Sequence, residues 1–163
     1  MLSIETMTPE DWPEVARIYQ EGMDTNLATF QTTVPPYEQW DAGHLQHSRL
    51  ILREDGQLIG WAAVASVSNR CVYAGVSEVS VYIDQRCQGR GCGEKLLKAL
   101  VMSSVDNGIW TLQSQIMRNN VASIRLHEKC GFRQVGYREK IGRDRNNVWR
   151  DTVLMERREQ SID

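Results

Sequence analysis

The sequence predicts an α/β domain of α+β character, one mixed sheet covered by helices, and three observations carry that reading. First, residues Val79–Leu97 run from an alternating β-branched strand through a turn holding Gly89, Gly91 and Gly93 into an amphipathic helix. Second, Asp55-Gly56 separates two apolar runs, the signature of a tight β-hairpin. Third, the apolar period alternates between strand and helix values in the order β-α-α-β-β-β-α-β-α-β-β. A chain of 163 residues with no internal repeat or linker is expected to form a single domain over residues 1–163.

In chain order, Ser3–Met7 reads as a first strand. Thr8 caps a helix with Pro9 at its first position, and Trp12, Val15, Ala16, Ile18 and Tyr19 give it an apolar face that Gly22 is expected to end. A polar stretch, Asn26–Thr33 with Phe30 in it, reads as a connector or binding loop and stops at Pro35-Pro36. A second helix is expected over Glu38–His47, then the hairpin strands Leu50–Arg53 and Gln57–Val64. A long strand from about Val72 to Ile83 leads into the glycine turn. The helix behind it shows one face through Leu96, Leu97, Leu100, Val101 and Val105. Trp110–Ile116 reads as a strand, and Asn119 or Asn120 caps a helix through Lys129 that Gly131 stops. Two last strands, Phe132–Lys140 and Val148–Glu156, meet across Gly142–Asn147, whose arginines read as a solvated turn.

Composition excludes several classes. A net charge of −2 leaves no electrostatic footprint for nucleic acid. Met1–Glu5 lacks a basic region ahead of an apolar core, and no apolar run approaches membrane-spanning length, so the expectation is a cytoplasmic protein with no membrane partner. Cys71, Cys87, Cys92 and Cys130 sit at no C-x-x-C spacing, and His44 with His47 lacks supporting ligands, so free thiols and no metal are expected. Cys87 and Cys92 bracket the glycine turn, which leaves a reactive thiol there as a weaker alternative.

The turn itself points to chemistry. Three glycines in five positions free consecutive backbone N–H groups of side-chain crowding, and the positive end of a helix dipole lies close behind. Such a point suits a pyrophosphate, and the forked donors of Arg86 and Arg90 flank it. The spacing is G-x-G-x-G rather than G-x-G-x-x-G, with no Asp or Glu between Asp106 and Glu128 for a dinucleotide ribose. Gly93 is followed by Glu94 rather than by the Lys-Ser/Thr of a nucleotide-triphosphate loop. The pattern Q-x-x-G-x-G formed by Gln88, Gly91 and Gly93 resembles the coenzyme A pyrophosphate loop of the GNAT acyltransferase superfamily. Asn120-Val121-Ala122-Ser123-Ile124-Arg125-Leu126-His127-Glu128-Lys129-Cys130-Gly131-Phe132 resembles that superfamily's N-x-x-S-x-x-L-x-E-K-x-G-F element.

That resemblance implies the GNAT acyl-CoA N-acyltransferase fold and acetyl-CoA as cosubstrate. It implies cofactor contacts at Gln88, Gly89, Arg90, Gly91, Cys92, Gly93 and Glu94, with Arg86 beside them. The pantetheine arm would lie between Val79–Ile83 (Val79, Val81 and Ile83 included) and Trp110–Ile116, with Asn120 and Ser123 lining it. Glu78–Ile83, Ser123–Glu128, Trp149-Arg150-Asp151 and the Asn26…Phe30…Pro35…Trp40 spacing are similar to the phosphinothricin and methionine sulfoximine N-acetyltransferases. This narrower resemblance implies a homodimer acting on a small-molecule amine, with Arg70 and Tyr73 near the substrate. The sequence departs from it in carrying Ala74 where some members have a further arginine.

Acetyl transfer needs a neutral amine, so a carboxylate that takes the ammonium proton is useful. Glu78, on one strand face with Ser80 and Tyr82, is the candidate base, the alternative being a surface glutamate on an edge strand. Backbone N–H groups at Val79–Val81 would polarise the thioester carbonyl. His127 stands where many GNAT enzymes have a tyrosine; it is either the proton donor to the departing thiolate or a helix histidine in packing contact. The planar fork of Arg70 suits a carboxylate or phosphinate, the alternative being a solvated loop arginine. Phe30 and Tyr73 are candidate walls of the acceptor pocket. The function this supports is acetyl-CoA-dependent N-acetylation of an amino-acid-like amine. Acetylation of a protein or peptide amine and a non-catalytic acyl-CoA sensor are the rivals; Glu78 with His127 favours an enzyme, because cofactor binding alone needs neither.

Overall fold

Alternation in the strand Gln57–Ser66 divides the molecule into two cores: Trp61 and Ala63 face one side, Ala62 and Val64 the other. The computed structural model describes residues 1–163, and its elements follow the expected order. They are β1 (Leu2–Thr6), α1 (Trp12–Asp24), α2 (Tyr37–Ala42), β2 (Leu50–Glu54), β3 (Gln57–Ser66) and β4 (Val76–Ile83), then α3 (Cys92–Asp106), β5 (Thr111–Met117), α4 (Val121–Lys129), β6 (Arg133–Arg143) and β7 (Trp149–Arg158). The seven strands form one mixed sheet in the order β1-β2-β3-β4-β5-β7-β6. Only β4 and β5 run parallel. Asp55 and Gly56 both take positive φ, 49° and 83°, as a tight hairpin turn requires. No helix is long and apolar enough to cross a membrane.

One face of the sheet is covered by α1 and α2, whose Val15, Ile18, Met23 and Trp40 pack on Trp61. The other is covered by α3 through Leu96, Leu97, Leu100 and Val101, with Ile124 and Leu126 of α4 against the same core. The β4–β5 pairing covers only Val76–Glu78 against Thr111–Gln113. Beyond Glu78 the strands part, although β4 continues paired to β3 as far as Ile83. The β5-facing edge of Val79–Ile83 is left without a strand partner, in the middle of the sheet and not at its border.

Four local expectations are corrected. Gly22 does not end α1, which runs on to Asp24; a Cβ there would stand 2.5 Å from the Tyr82 ring, so the glycine serves close packing. The second helix stops at Ala42, because the Arg49 guanidinium takes the carbonyls of Asp41, His44 and Leu45 and the Leu45 N–H turns to Val64. Residues Cys71–Tyr73 form a helical turn, and β4 starts only at Val76, after Gly75 has let the Trp110 ring pass against its backbone. The β6–β7 turn is not merely solvated: the Asp144 side chain is fully buried and paired with Arg150 at 2.8 Å.

The Gly22 contact yields a stability prediction. The Tyr82 ring cannot swing aside, being stacked on Trp61 at 5.0 Å and held by Tyr19 at 4.9 Å. Gly22→Ala gains about 1 kcal/mol of helix propensity at most, against an overpacking cost of about 1–3 kcal/mol. A thermal melt is expected to show a lower Tm; an equal or higher one would contradict the packing role.

Candidate functional site

The parting of β4 and β5 opens a cleft of about 1060 Å³ that runs from the glycine turn, across the sheet, to the loop after α1. Its walls include Glu78–Ile83 of β4, Ser114–Met117 of β5, Asn120, Ser123 and His127 of α4, and residues of the 25–31 loop. Of the residues the sequence singles out, Glu78, Val79, Val81, Ile83, Gln88, Gly89, Gly91, Cys92, Gly93, Glu94, Asn120, Ser123, His127 and Phe30 are brought together here. Arg86, Arg90, Arg70 and Tyr73 are not among the lining residues.

At the glycine end, Gly89 and Gly91 have φ of +74° and +77°, and an added Cβ would meet nothing within 4 Å at either. Gly91 immediately precedes α3, so open space, bare backbone and a helix N-terminus coincide. This is a cradle that fits a pyrophosphate. The loop is pinned from below by Asp84, whose buried carboxylate accepts from the Arg86 backbone N–H at 2.9 Å and guanidinium at 2.8 Å and pairs with Arg17 of α1 at 3.1 Å. The Arg86 contacts hold this carboxyl far below the usual range. The Gln88 amide donates to the Ile83 carbonyl at 3.0 Å. Arg86 and Arg90 are thus engaged, with Asp84 and Glu54 respectively. The cations that line this end are Arg125 and Lys129, four residues apart on α4. Their i, i+4 spacing was the available signal.

At the other end, Glu78 lies half-buried on the same sheet face as Tyr82. Burial raises its pKa, while a hydrogen bond from Gln113 and the charge of Arg138 pull it back. Gln115 and Thr152, in contact at 3.3 Å, and Arg138 of β6 also line this end. Neither Gln115 nor Arg138 stands out in the sequence, because only the register of β5, β7 and β6 sets them on the sheet face that carries Glu78.

The 25–31 loop is held over this end by polar contacts. Asp144 accepts from the Asn26 side chain at 3.1 Å, the Arg150 guanidinium at 2.8 Å and the backbone of Asn146 and Val148. Burial opposes its charge, yet these bonds bring its pKa down to about 2. The Asn120 amide, which also caps α4 through Ser123, donates to the Leu27 carbonyl at 3.3 Å. Phe30 lies against Gly142, where an added Cβ would be 3.1 Å from its ring.

His127 is buried, and its Nδ1 lies 2.7 Å from the Ser123 carbonyl, an acceptor only, so Nδ1 carries the proton. Nε2 is a bare acceptor with no partner, and the ring stands edge-on to Phe132. Burial lowers its pKa, so the neutral form dominates near pH 7. Donation from Nε2 would require the disfavoured imidazolium, which weighs toward packing. Arg70 is exposed with its guanidinium 5.9 Å from the Tyr73 ring, on the turn that precedes β4 and outside the cleft.

Comparison with known proteins gives a consistent set of likenesses. Residues 12–132 match the Acetyltransferase (GNAT) family. A phosphinothricin N-acetyltransferase of Alcaligenes faecalis is 32% identical over 95% of this chain and 81% of its own length. An L-methionine sulfoximine/L-methionine sulfone acetyltransferase of Pseudomonas paraeruginosa is 27% identical over 94% of this chain and 92% of its own. Among solved structures, a phosphinothricin acetyltransferase from Sinorhizobium meliloti in complex with acetyl-CoA superposes with a TM-score of 0.86 at 25% identity, over 96% of this chain and 88% of that one. A ribosomal-protein-alanine N-acetyltransferase from Brucella melitensis superposes with a TM-score of 0.87 at 26% identity, over 96% and 99%.

Proposed function

Because the chain belongs to the Acetyltransferase (GNAT) family, we propose that it transfers an acetyl group from acetyl-CoA to the α-amine of a small amino-acid-like acceptor of the phosphinothricin or methionine sulfoximine type. The observation that carries this reading is the cleft itself, which joins a phosphate cradle at Gly89–Gly91 to a half-buried carboxylate at Glu78. Bound acetyl-CoA supplies an activated thioester. Residues Gly89, Gly91 and the first turn of α3 hold its pyrophosphate, with Arg125 and Lys129 alongside. The unpaired edge of Val79–Ile83 offers backbone N–H donors along the arm and at the carbonyl to be attacked. Glu78 takes the ammonium proton, and the free amine would attack the thioester carbonyl. As the C–S bond breaks, the nitrogen's remaining excess proton would pass to the departing thiolate, leaving the thiol. The buried His127 keeps a packing role against Phe132.

Free thiols at all four cysteines suit a reducing, cytoplasmic setting. A homodimer is part of the same proposal: β6 is an uncovered edge strand with Val135, Tyr137 and Ile141 exposed beside Trp149, the kind of surface that self-association covers.

The likeness to a ribosomal-protein-alanine N-acetyltransferase favours a second reading, transfer to a peptide N-terminus. A thiol-release assay with acetyl-CoA decides between them, using L-methionine sulfoximine, L-methionine sulfone, phosphinothricin, the common amino acids and a peptide with N-terminal alanine. Release with one or more of the small amino acids and none with the peptide is expected. Release with the peptide alone would overturn the substrate class.

A further inference from the structure

We propose that Arg138 binds the carboxylate of an α-amino acid acceptor whose amine faces Glu78, and so sets the specificity of the site for zwitterions. The inference rests on the N-acetyltransferase reading of the cleft. Arg138 lines the cleft, yet its guanidinium makes no hydrogen bond or ion pair within the chain. Most other arginines of this protein are tied to a carboxylate, as Arg17, Arg49, Arg53, Arg86 and Arg150 are.

Its position follows from the register. Arg138 lies opposite Thr152, and Thr152 opposite Met117, so from Glu78 outward one face of the sheet carries Gln113, Gln115, Thr152 and Arg138. The pairing of β6 with β7 slips between Arg138 and Gly142. There Lys140 takes a φ of +46° and its N–H donates to the Asp151 carboxylate at 2.8 Å. Beyond that irregularity Ile141 and Gly142 line the cleft, with Gly142 against Phe30.

An α-amino acid carries its ammonium and its carboxylate on one carbon. A site for it needs an anion and a cation that face each other across a gap of substrate size without closing on one another. Glu78 and Arg138 are an anion and a cation that line one cleft from the same face of the sheet, about four residues apart in register, and form no ion pair with each other. The charge of Arg138 also lowers the proton affinity of Glu78. A guanidinium fork matches a planar carboxylate with two parallel bonds. Arg70, which the sequence offered for this work, points its charge at Tyr73 on the exposed turn before β4.

The test is steady-state kinetics of wild type, Arg138→Gln, Arg138→Lys and Arg70→Gln with two acceptors. One is the amino acid that the thiol-release panel shows to be turned over best; the other is the primary amine left when its carboxylate is removed. Arg138→Gln is expected to raise KM for the amino acid roughly 10–100-fold, the span of a lost charged hydrogen-bond pair. Its kcat should stay within a few-fold, its KM for the amine should hold, and Arg138→Lys should recover part of the loss. Equal effects on both acceptors, no effect on the amino acid, or a carboxylate-dependent effect at Arg70→Gln instead would overturn the assignment. A wild-type protein that acetylates neither acceptor would remove the underlying reading and this assignment with it, which separates the two failures. Arg138 is exposed, so an unchanged Tm is expected to show that the variants are folded.

Discussion

Glu78→Gln is expected to lower kcat/KM by roughly 10²–10⁴-fold near neutral pH, the usual size of a general-base contribution. The substitution keeps the shape and hydrogen-bonding reach of the side chain and removes only its basicity. An α-ammonium acceptor is mostly protonated at neutral pH, so the variant must wait for the minor free-amine fraction. Its deficit should therefore narrow as pH rises. On the acid side, burial raises the pKa of Glu78 above the ordinary glutamate value, so wild-type activity should decline as pH falls through that raised value. The variant should lack this limb. Stability moves the other way: a raised pKa means that folding favours the protonated carboxyl, and that advantage is lost as pH rises through it. The glutamine variant should then match or exceed wild type in Tm at neutral pH, and acetyl-CoA affinity should hold. A variant within about threefold of wild type across the pH range would contradict the role.

Gly91→Asp is expected to weaken acetyl-CoA binding roughly 100-fold, about 3 kcal/mol, the upper range for a charged hydrogen-bonding contact. Gly91 has a φ of +77° and sits just ahead of α3, and the space around its Cα is empty. A carboxylate there would occupy the place and take the N–H donors proposed for phosphate. The substitution should spare the fold, since Asp is favoured at a helix N-terminus and offsets part of the backbone strain. Calorimetric titration of the folded variant is the measurement. Unchanged affinity would place the cofactor elsewhere on the chain.

Much of this was legible in the sequence wherever a signal is local. The Asp55-Gly56 turn, the Asn120 cap and the strand–glycine–helix passage at Val79–Leu97 each depend on residues within a few positions, and each is where it was expected. The placement of Glu78 with Tyr82 on one face follows from strand alternation alone. What was not legible depends on distant partners. Gly22 looked like a helix stop because nothing nearby reveals the Tyr82 ring against it. Arg86 and Arg90 looked free for phosphate, whereas Asp84 and Glu54 hold them. Arg138 reaches the cleft only because β7 inserts between β5 and β6 and the pairing of Arg138 with Thr152 sets it on the face of Glu78, facts of register that no single segment contains.

The short β4–β5 pairing has a consequence for the life of the chain. Three register pairs, Val76–Glu78 against Thr111–Gln113, are the whole of the strand pairing between a four-stranded half of the sheet and a three-stranded half. On the proposed reading, the molecule that is consumed in the reaction also splints this seam, and occupancy at about 100 times Kd adds roughly 2.7 kcal/mol to stability. Proteolytic turnover would then slow when acetyl-CoA is plentiful and quicken when it is scarce. The cell's supply of its acetyl donor would set the amount of the protein as well as its rate of work.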